Sequence, residues 1–174
     1  MKMVFLIILS VIVIIGLTMG ALELFSSYKT STSINKEAPV QTTQKMAINA
    51  SPEKIWKIMS EIDQWKNWHK DVQNPKLKGT FQAGSSFNWK SGGLNIHSTI
   101  HTATPYTKIG WSGKAFGAFA IHNWTFTQMQ GYTEVSVEES MEGWLVKLTR
   151  KKFQSGLEQS LIIWLTNLKT EAEK

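Results

Sequence analysis

An alternation of apolar and polar residues that keeps one phase through four turns, from Phe87 to Glu139, is what most limits the folds open to this chain. In Ile121-His122-Asn123-Trp124-Thr125-Phe126 large rings alternate with small polar residues, the two-residue period of a half-buried strand. His122, Trp124 and Phe126 therefore share one face. A turn follows at Met129 and Gln130, and beyond it Thr133, Val135 and Val137 resume the period, whose parity carries Glu139 onto the same apolar face. With that turn centred on Met129 and Gln130, antiparallel pairing is expected to set Phe126 opposite Thr133, Trp124 opposite Val135, His122 opposite Val137 and Ala120 opposite Glu139.

Upstream the same phase holds. Phe87 and Trp89 share a face, Ser91-Gly92-Gly93 turns the chain, Ile96, Ser98 and Ile100 share the next face, Pro105-Tyr106 turns again, and Ile109, Trp111 and Gly113 follow. Pairing Trp89 with Ile96, Ile100 with Trp111, and Trp111 with Ala120 or His122 keeps every apolar set on one side. A one-residue slip at any hairpin would turn that strand's apolar residues to solvent, so the agreement points to a continuous antiparallel sheet. Its inner face is an aromatic wall carrying one imidazole and one carboxylate.

Two flanking regions have a different period. Gln41 to Asn49 reads as a first strand, and Ser51-Pro52 as a helix start, with a hydroxyl to cap free amides and a proline where its missing donor is harmless. Ile55, Trp56, Ile58, Met59 and Ile62 follow at helical spacing, and a second short helix, Asp63 to His69, presents Trp65 and Trp68 as core. After Gly143, Leu145, Leu148, Leu157, Leu161, Trp164, Leu165 and Leu168 recur at spacings of three, four and seven. One helix from Trp144 to Thr170 would be about 40 Å long. Gly156 lies inside it, as a close approach to another element or as a bend.

The N-terminus is a separate unit. From Met3 to Leu22 the residues are almost all aliphatic or Phe and Met, and no charge occurs between Lys2 and Glu23. About 20 apolar residues rising ~1.5 Å each match a hydrocarbon core of roughly 30 Å. Residues 3–24 therefore read as a transmembrane anchor. A cleaved secretory signal is the alternative, but its apolar region should span only about 7–15 residues, and Thr18 and Gly20 make a weak cleavage site. Lys2 and the terminal amine before the span place the domain outside the cytoplasm on a single-pass membrane protein. Residues 25–40, rich in Ser, Thr, Lys and Asn without apolar periodicity, read as a flexible linker, and residues 41–172 as the folded domain.

The net charge of +6 invites a nucleic-acid reading. Most lysines, however, are scattered singly, and only Lys147, Arg150, Lys151 and Lys152 cluster. That cluster reads as a solvated helix face first and an acidic lipid-headgroup contact second, and no nucleic-acid partner is expected. A chain without cysteine fits any redox compartment. A metal is not expected either: His97 and His101, four apart on a strand, stand about 13 Å apart along its axis, too far for one zinc.

The order strand, two short helices, antiparallel strands and long C-terminal helix resembles the START-like (SRPBCC) superfamily. Ile109-Gly110-Trp111-Ser112-Gly113, Ala120 to Phe126, Thr133-Glu134-Val135 through Glu139 and Gly143, and Gly156-Leu157-Glu158 with Asn167-Leu168-Lys169 are similar to its polyketide cyclase/dehydrase-type branch. The resemblance implies an α+β helix-grip fold, a curved sheet wrapped around the C-terminal helix, with a cavity between them for a lipid, polyketide or other hydrophobic small molecule. Trp89, Ile96, Trp111, His122, Trp124, Phe126 and Glu139 on the sheet, with Phe153, Leu157 and Leu161 on the helix, are the expected ligand-binding residues. No cofactor is implied. His122 is read first as a hydrogen-bonded core histidine. Its functional alternative is a polar anchor, with Glu139 diagonally across the hairpin. No nucleophile motif or paired-carboxylate spacing accompanies them, so a binding domain ranks ahead of a cyclase- or aromatase-like enzyme, and a filled-core interaction module is third.

Overall fold

The computed structural model describes residues 2–174. The chain is α+β and helix-grip-like. Helix α1 (Lys2–Leu24) stands apart, and the remaining elements run β1 (Val40–Ile48), α2 (Pro52–Ser60), a 3-10 turn (Ile62–Gln64), α3 (Trp65–Trp68), β2 (Gln73–Lys78), β3 (Ser86–Ser91), β4 (Leu94–Thr104), β5 (Lys108–Ala115), β6 (Ala118–Gln128), β7 (Thr133–Glu142), α4 (Trp144–Leu148) and α5 (Arg150–Ala172). One seven-stranded sheet, order β1-β7-β6-β5-β4-β3-β2, is antiparallel throughout. Strand β2 contains Pro75 and lies at the sheet edge, where a missing donor costs no ladder bond.

The registers follow the inward parity. Trp89 faces Ile96, Ile100 faces Trp111 and Trp111 faces His122. The β6–β7 pairing departs from the expected register by two residues: Phe126 faces Val135, Trp124 faces Val137, His122 faces Glu139 and Ala120 faces Met141. The connection runs from Met129 to Tyr132, closed by the Met129 N–H donating to Tyr132 O at 2.8 Å with Gly131 at φ +85°, and is longer than a two-residue turn. A shift of two leaves each side chain on its own face, so the wall survives the correction.

The C-terminal helix is interrupted. Thr149, at φ −124° and ψ 38°, separates α4 from α5, and its hydroxyl donates to Leu145 O at 2.9 Å. A β-branched side chain that bonds the preceding turn favours such a break. Gly156 does not make the close approach that was one expectation of it, since it lies within α5 and a Cβ there would meet nothing within 4 Å.

Ser51 caps α2 by accepting from Lys54 N–H, and α2 with α3 closes one end of the sheet. There Trp65 is fully buried, its ring edge-on to Phe87 (5.5 Å) and Trp164 (5.1 Å). Its indole N–H donates to Met59 O at 3.0 Å, satisfying the one polar group it carries inside. The opposite end is drawn together by two glycines. Gly117, at φ +68° in the β5–β6 turn, and Gly143, at φ +134° before α4, approach so closely that a Cβ on Gly143 would lie 2.3 Å from Gly117 O. Leu145 N–H donates to that same carbonyl at 3.1 Å.

Helix α1 is long and apolar enough to cross a membrane, and none of its residues is buried. The segment after it is not the free linker its composition suggested. Tyr28 stacks on Phe119 at 5.2 Å, Thr32 O accepts from Asn123 Nδ2, Asn35 N–H donates to Ser140 Oγ at 3.0 Å, and Asn35 Nδ2 donates to Glu142 Oε2 at 2.8 Å. These contacts lay it across the outer face of β6 and β7. Phe119, Ile121 and Ser140, which alternation would leave to solvent, are consequently buried.

Candidate functional site

Between the inner face of the sheet and α5 lies a cavity of about 510 Å³. It exists because side chains shrink along β5 and β6 toward their shared turn: the cross-strand pair Trp111/His122 is followed by Gly113/Ala120 and then Ala115/Ala118. Above the small pairs α5 contributes Gly156, which adds no side chain. The close packing that fills the Trp65 end therefore gives out, and an open volume of the size that takes a small ligand remains.

Trp164 of α5 and Trp111 and Trp124 of the sheet form the floor, with Trp124 6.1 Å from Trp164 and 6.3 Å from Trp111. Trp89 also lines the cavity, oriented by its indole N–H donating to the buried Ser98 Oγ at 3.1 Å. At the other end Gly92, Leu94 and Lys152 are exposed, so the mouth opens between the β3–β4 and β5–β6 turns and the α4–α5 junction.

One polar pair breaks the apolar inner face of β6 and β7. His122 Nδ1 lies 2.8 Å from Glu139 Oε2, with the carboxylate almost wholly buried and the imidazole stacked on Trp111 at 5.0 Å. The carboxylate accepts the Nδ1 proton, which assigns the tautomer and leaves Nε2 available to a ligand. The two are directly cross-strand neighbours, not diagonal ones.

Trp89, Ile96, Trp111, His122, Trp124, Glu139, Phe153, Leu157 and Leu161 all border the cavity. Phe126 does not: it has the right parity but sits beyond the floor in the filled core. Among the residues not foreseen are Trp164 in the floor, the small residues Gly113, Ala115, Ala118, Ala120 and Gly156, and Met141, Leu145, Thr149 and Lys152 toward the rim. The run of small inward residues after Trp111 was the one signal of the small ones in the chain. Elsewhere, His69 is buried against Trp164, 4.1 Å between ring centres, and burial holds its pKa below the usual histidine value. His101 is lowered for the same reason. Among the described residues no group of three or more His, Cys, Asp or Glu side chains is placed to hold a metal.

No curated protein sequence matches the chain. Solved structures share the fold at low identity. A hypothetical protein from Helicobacter pylori superposes with a TM-score of 0.71 at 14% identity, covering 84% of this chain and 99% of that one. The di-domain ARO/CYC StfQ from the steffimycin biosynthetic pathway gives 0.68 at 14% identity, over 77% of this chain and 50% of that one. The di-domain ARO/CYC BexL from the BE-7585A pathway gives 0.66, again at 14% identity over 77% of this chain and half of that one. The chain thus spans one half of each of these di-domain proteins. A family model matches residues 39–173, hence everything from β1 to the last turn of α5, and by that match the chain belongs to the SRPBCC-type family described as polyketide cyclase / dehydrase and lipid transport.

Proposed function

We propose that the chain is a membrane-anchored binding domain that holds one hydrophobic small molecule, lipid- or polyketide-like, between its sheet and α5. The observation that carries this reading is the cavity of about 510 Å³ with aromatic walls and a single buried His122–Glu139 pair. An apolar body fills such a space by losing its contact with water, and one hydroxyl or carbonyl finds its partner at His122 Nε2. Helix α1 keeps the domain at a bilayer, where molecules of that kind concentrate. The test is native mass spectrometry of the full chain released from mild detergent. A hydrophobic adduct that leaves with unfolding is expected, and a chain that comes empty and ignores a panel of lipids and aromatic polyketides would overturn the reading.

A second reading, a cyclase-like enzyme, is favoured by the same pair and by the di-domain ARO/CYC structures that share the fold. An imidazole held by a carboxylate can take a proton from the carbon beside one carbonyl. The resulting enolate carbon bonds to a second carbonyl carbon as that C=O π bond breaks, and the imidazolium, stabilised by Glu139, returns the proton to the alkoxide. It requires a product of altered bonding, which the first reading does not.

A further inference from the structure

The apolar helix and the cavity mouth meet at one residue. Glu23 Oε2 accepts from the Gly117 backbone N–H at 2.9 Å and from Trp144 Nε1–H at 3.2 Å. Gly117 is the tip of the β5–β6 turn and Trp144 the first residue of α4, and their neighbours Ala115, Ala118 and Leu145 line the cavity. The end of α1 is thus fastened to the rim, and the segment after it is held on the outer face of the sheet by Tyr28, Thr32 and Asn35. With both attachments in place the domain cannot swing freely beneath its anchor.

The surface this arrangement turns toward the anchor's bilayer has the composition of an interfacial one. Phe116 at the turn tip is 46% exposed, Leu148 at the end of α4 75%, Leu94 beside the mouth 39% and Phe25 just after α1 88%. Around them stand Lys147, Arg150, Lys151 and Lys152, all at least partly exposed, with no acidic residue between Glu142 and Glu158. Among the described residues none of the four basic side chains forms a salt bridge. Exposed apolar tips beside unpaired cations, with an indole at the junction, match the boundary of an anionic bilayer: rings and aliphatic groups enter the acyl edge and the cations meet headgroup phosphates.

We propose that the cavity rim, from Leu94 and Phe116 to Leu148 and the basic start of α5, docks on the anionic leaflet into which α1 descends, with Glu23 latching it in place. A ligand then passes between leaflet and cavity without crossing water. The docking rests on the reading of α1 as membrane-embedded, and the experiment separates the failure of that reading from the failure of the docking.

The chain has no cysteine, so single thiols report cleanly. Full-length Phe116→Cys, Leu148→Cys, Ser10→Cys and Gln130→Cys, each carrying an environment-sensitive fluorophore, are reconstituted into phosphatidylcholine–phosphatidylglycerol vesicles containing a spin-labelled lipid. Position 10 lies in α1 and position 130 at the far end of the sheet. Docking predicts quenching at 116 and 148 approaching that at 10, and none at 130. Glu23→Ala should release the rim labels while leaving position 10 quenched. Trp144→Phe, which removes one of the two donors to Glu23, should release them in part. Lys147→Gln and Lys151→Gln should each lower the docked fraction relative to the undocked by about fivefold, as should omission of the anionic lipid in larger measure. Position 10 quenched with 116 and 148 unquenched overturns the docking and leaves the anchor standing. An unquenched position 10 overturns the membrane reading and the docking with it.

Discussion

His122 is the residue on which the two readings of the cavity divide. Its Nδ1 is committed to Glu139, so a ligand interacts with Nε2 alone. His122→Ala should lower the affinity of a hydrogen-bonding ligand by about 1–3 kcal/mol, roughly 5- to 150-fold, and leave a purely apolar analogue nearly unaffected, as titration calorimetry would show. Glu139→Gln keeps a polar partner for Nδ1 but removes the charge that would stabilise an imidazolium. Ligand affinity should then change little, whereas a catalysed cyclisation measured by product analysis should fall steeply. Both residues were legible in the chain, because parity alone places them on the apolar face. Phe126 obeys the same parity and yet borders filled core, since alternation reports which face a side chain takes and not how far along the strand the packing is complete. What makes the space is the small residues after Trp111, and a small residue leaves little mark on a hydrophobic pattern.

Among the elements, α5 and the β5–β6 hairpin set the size of the site. Gly156 has free space where its Cβ would stand, so Gly156→Ala should stabilise the fold by up to about 1 kcal/mol through helix propensity, read as a higher melting temperature, with ligand binding retained. Gly156→Leu and Ala120→Phe should instead fill the cavity and abolish binding of a hydrophobic probe while the fold stays intact by circular dichroism. The strand order and most registers could be read from the chain because each hairpin confines its neighbour. Two elements could not. The β6–β7 loop is longer than the turn expected there, and nothing in Met129-Gln130-Gly131-Tyr132 distinguishes a slip of two, which preserves parity. The break at Thr149 depends on a hydroxyl reaching back to Leu145 O, a competition that leaves the leucine spacing unchanged.

Across the molecule, stability should depend on acidity through buried imidazoles. Burial lowers the pKa of His69 and of His101, so both are neutral in the folded chain and protonate more readily once it unfolds. The unfolded state then binds more protons below about pH 6.5, and stability, full above that value, should decline as the pH falls toward the folded-state values. Thermal melts from neutral to about pH 5 would show it, and His69→Phe, which keeps a ring against Trp164, should flatten the decline, with His101 carrying the remainder. The segment across the back of β6 and β7 has a consequence for where the folding unit begins. Similarity to the family starts at residue 39, and a chain shortened to that point would retain every strand. It would also uncover Phe119 and Ile121, turning an ordinary sheet face into an adhesive one. A soluble version that starts at Ser26 should therefore remain monomeric in light scattering where one that starts at Pro39 self-associates. Tyr28, Thr32 and Asn35 make the piece of chain that looks most dispensable a part of the fold, so an arbitrary spacer of equal length in its place should leave the same face uncovered.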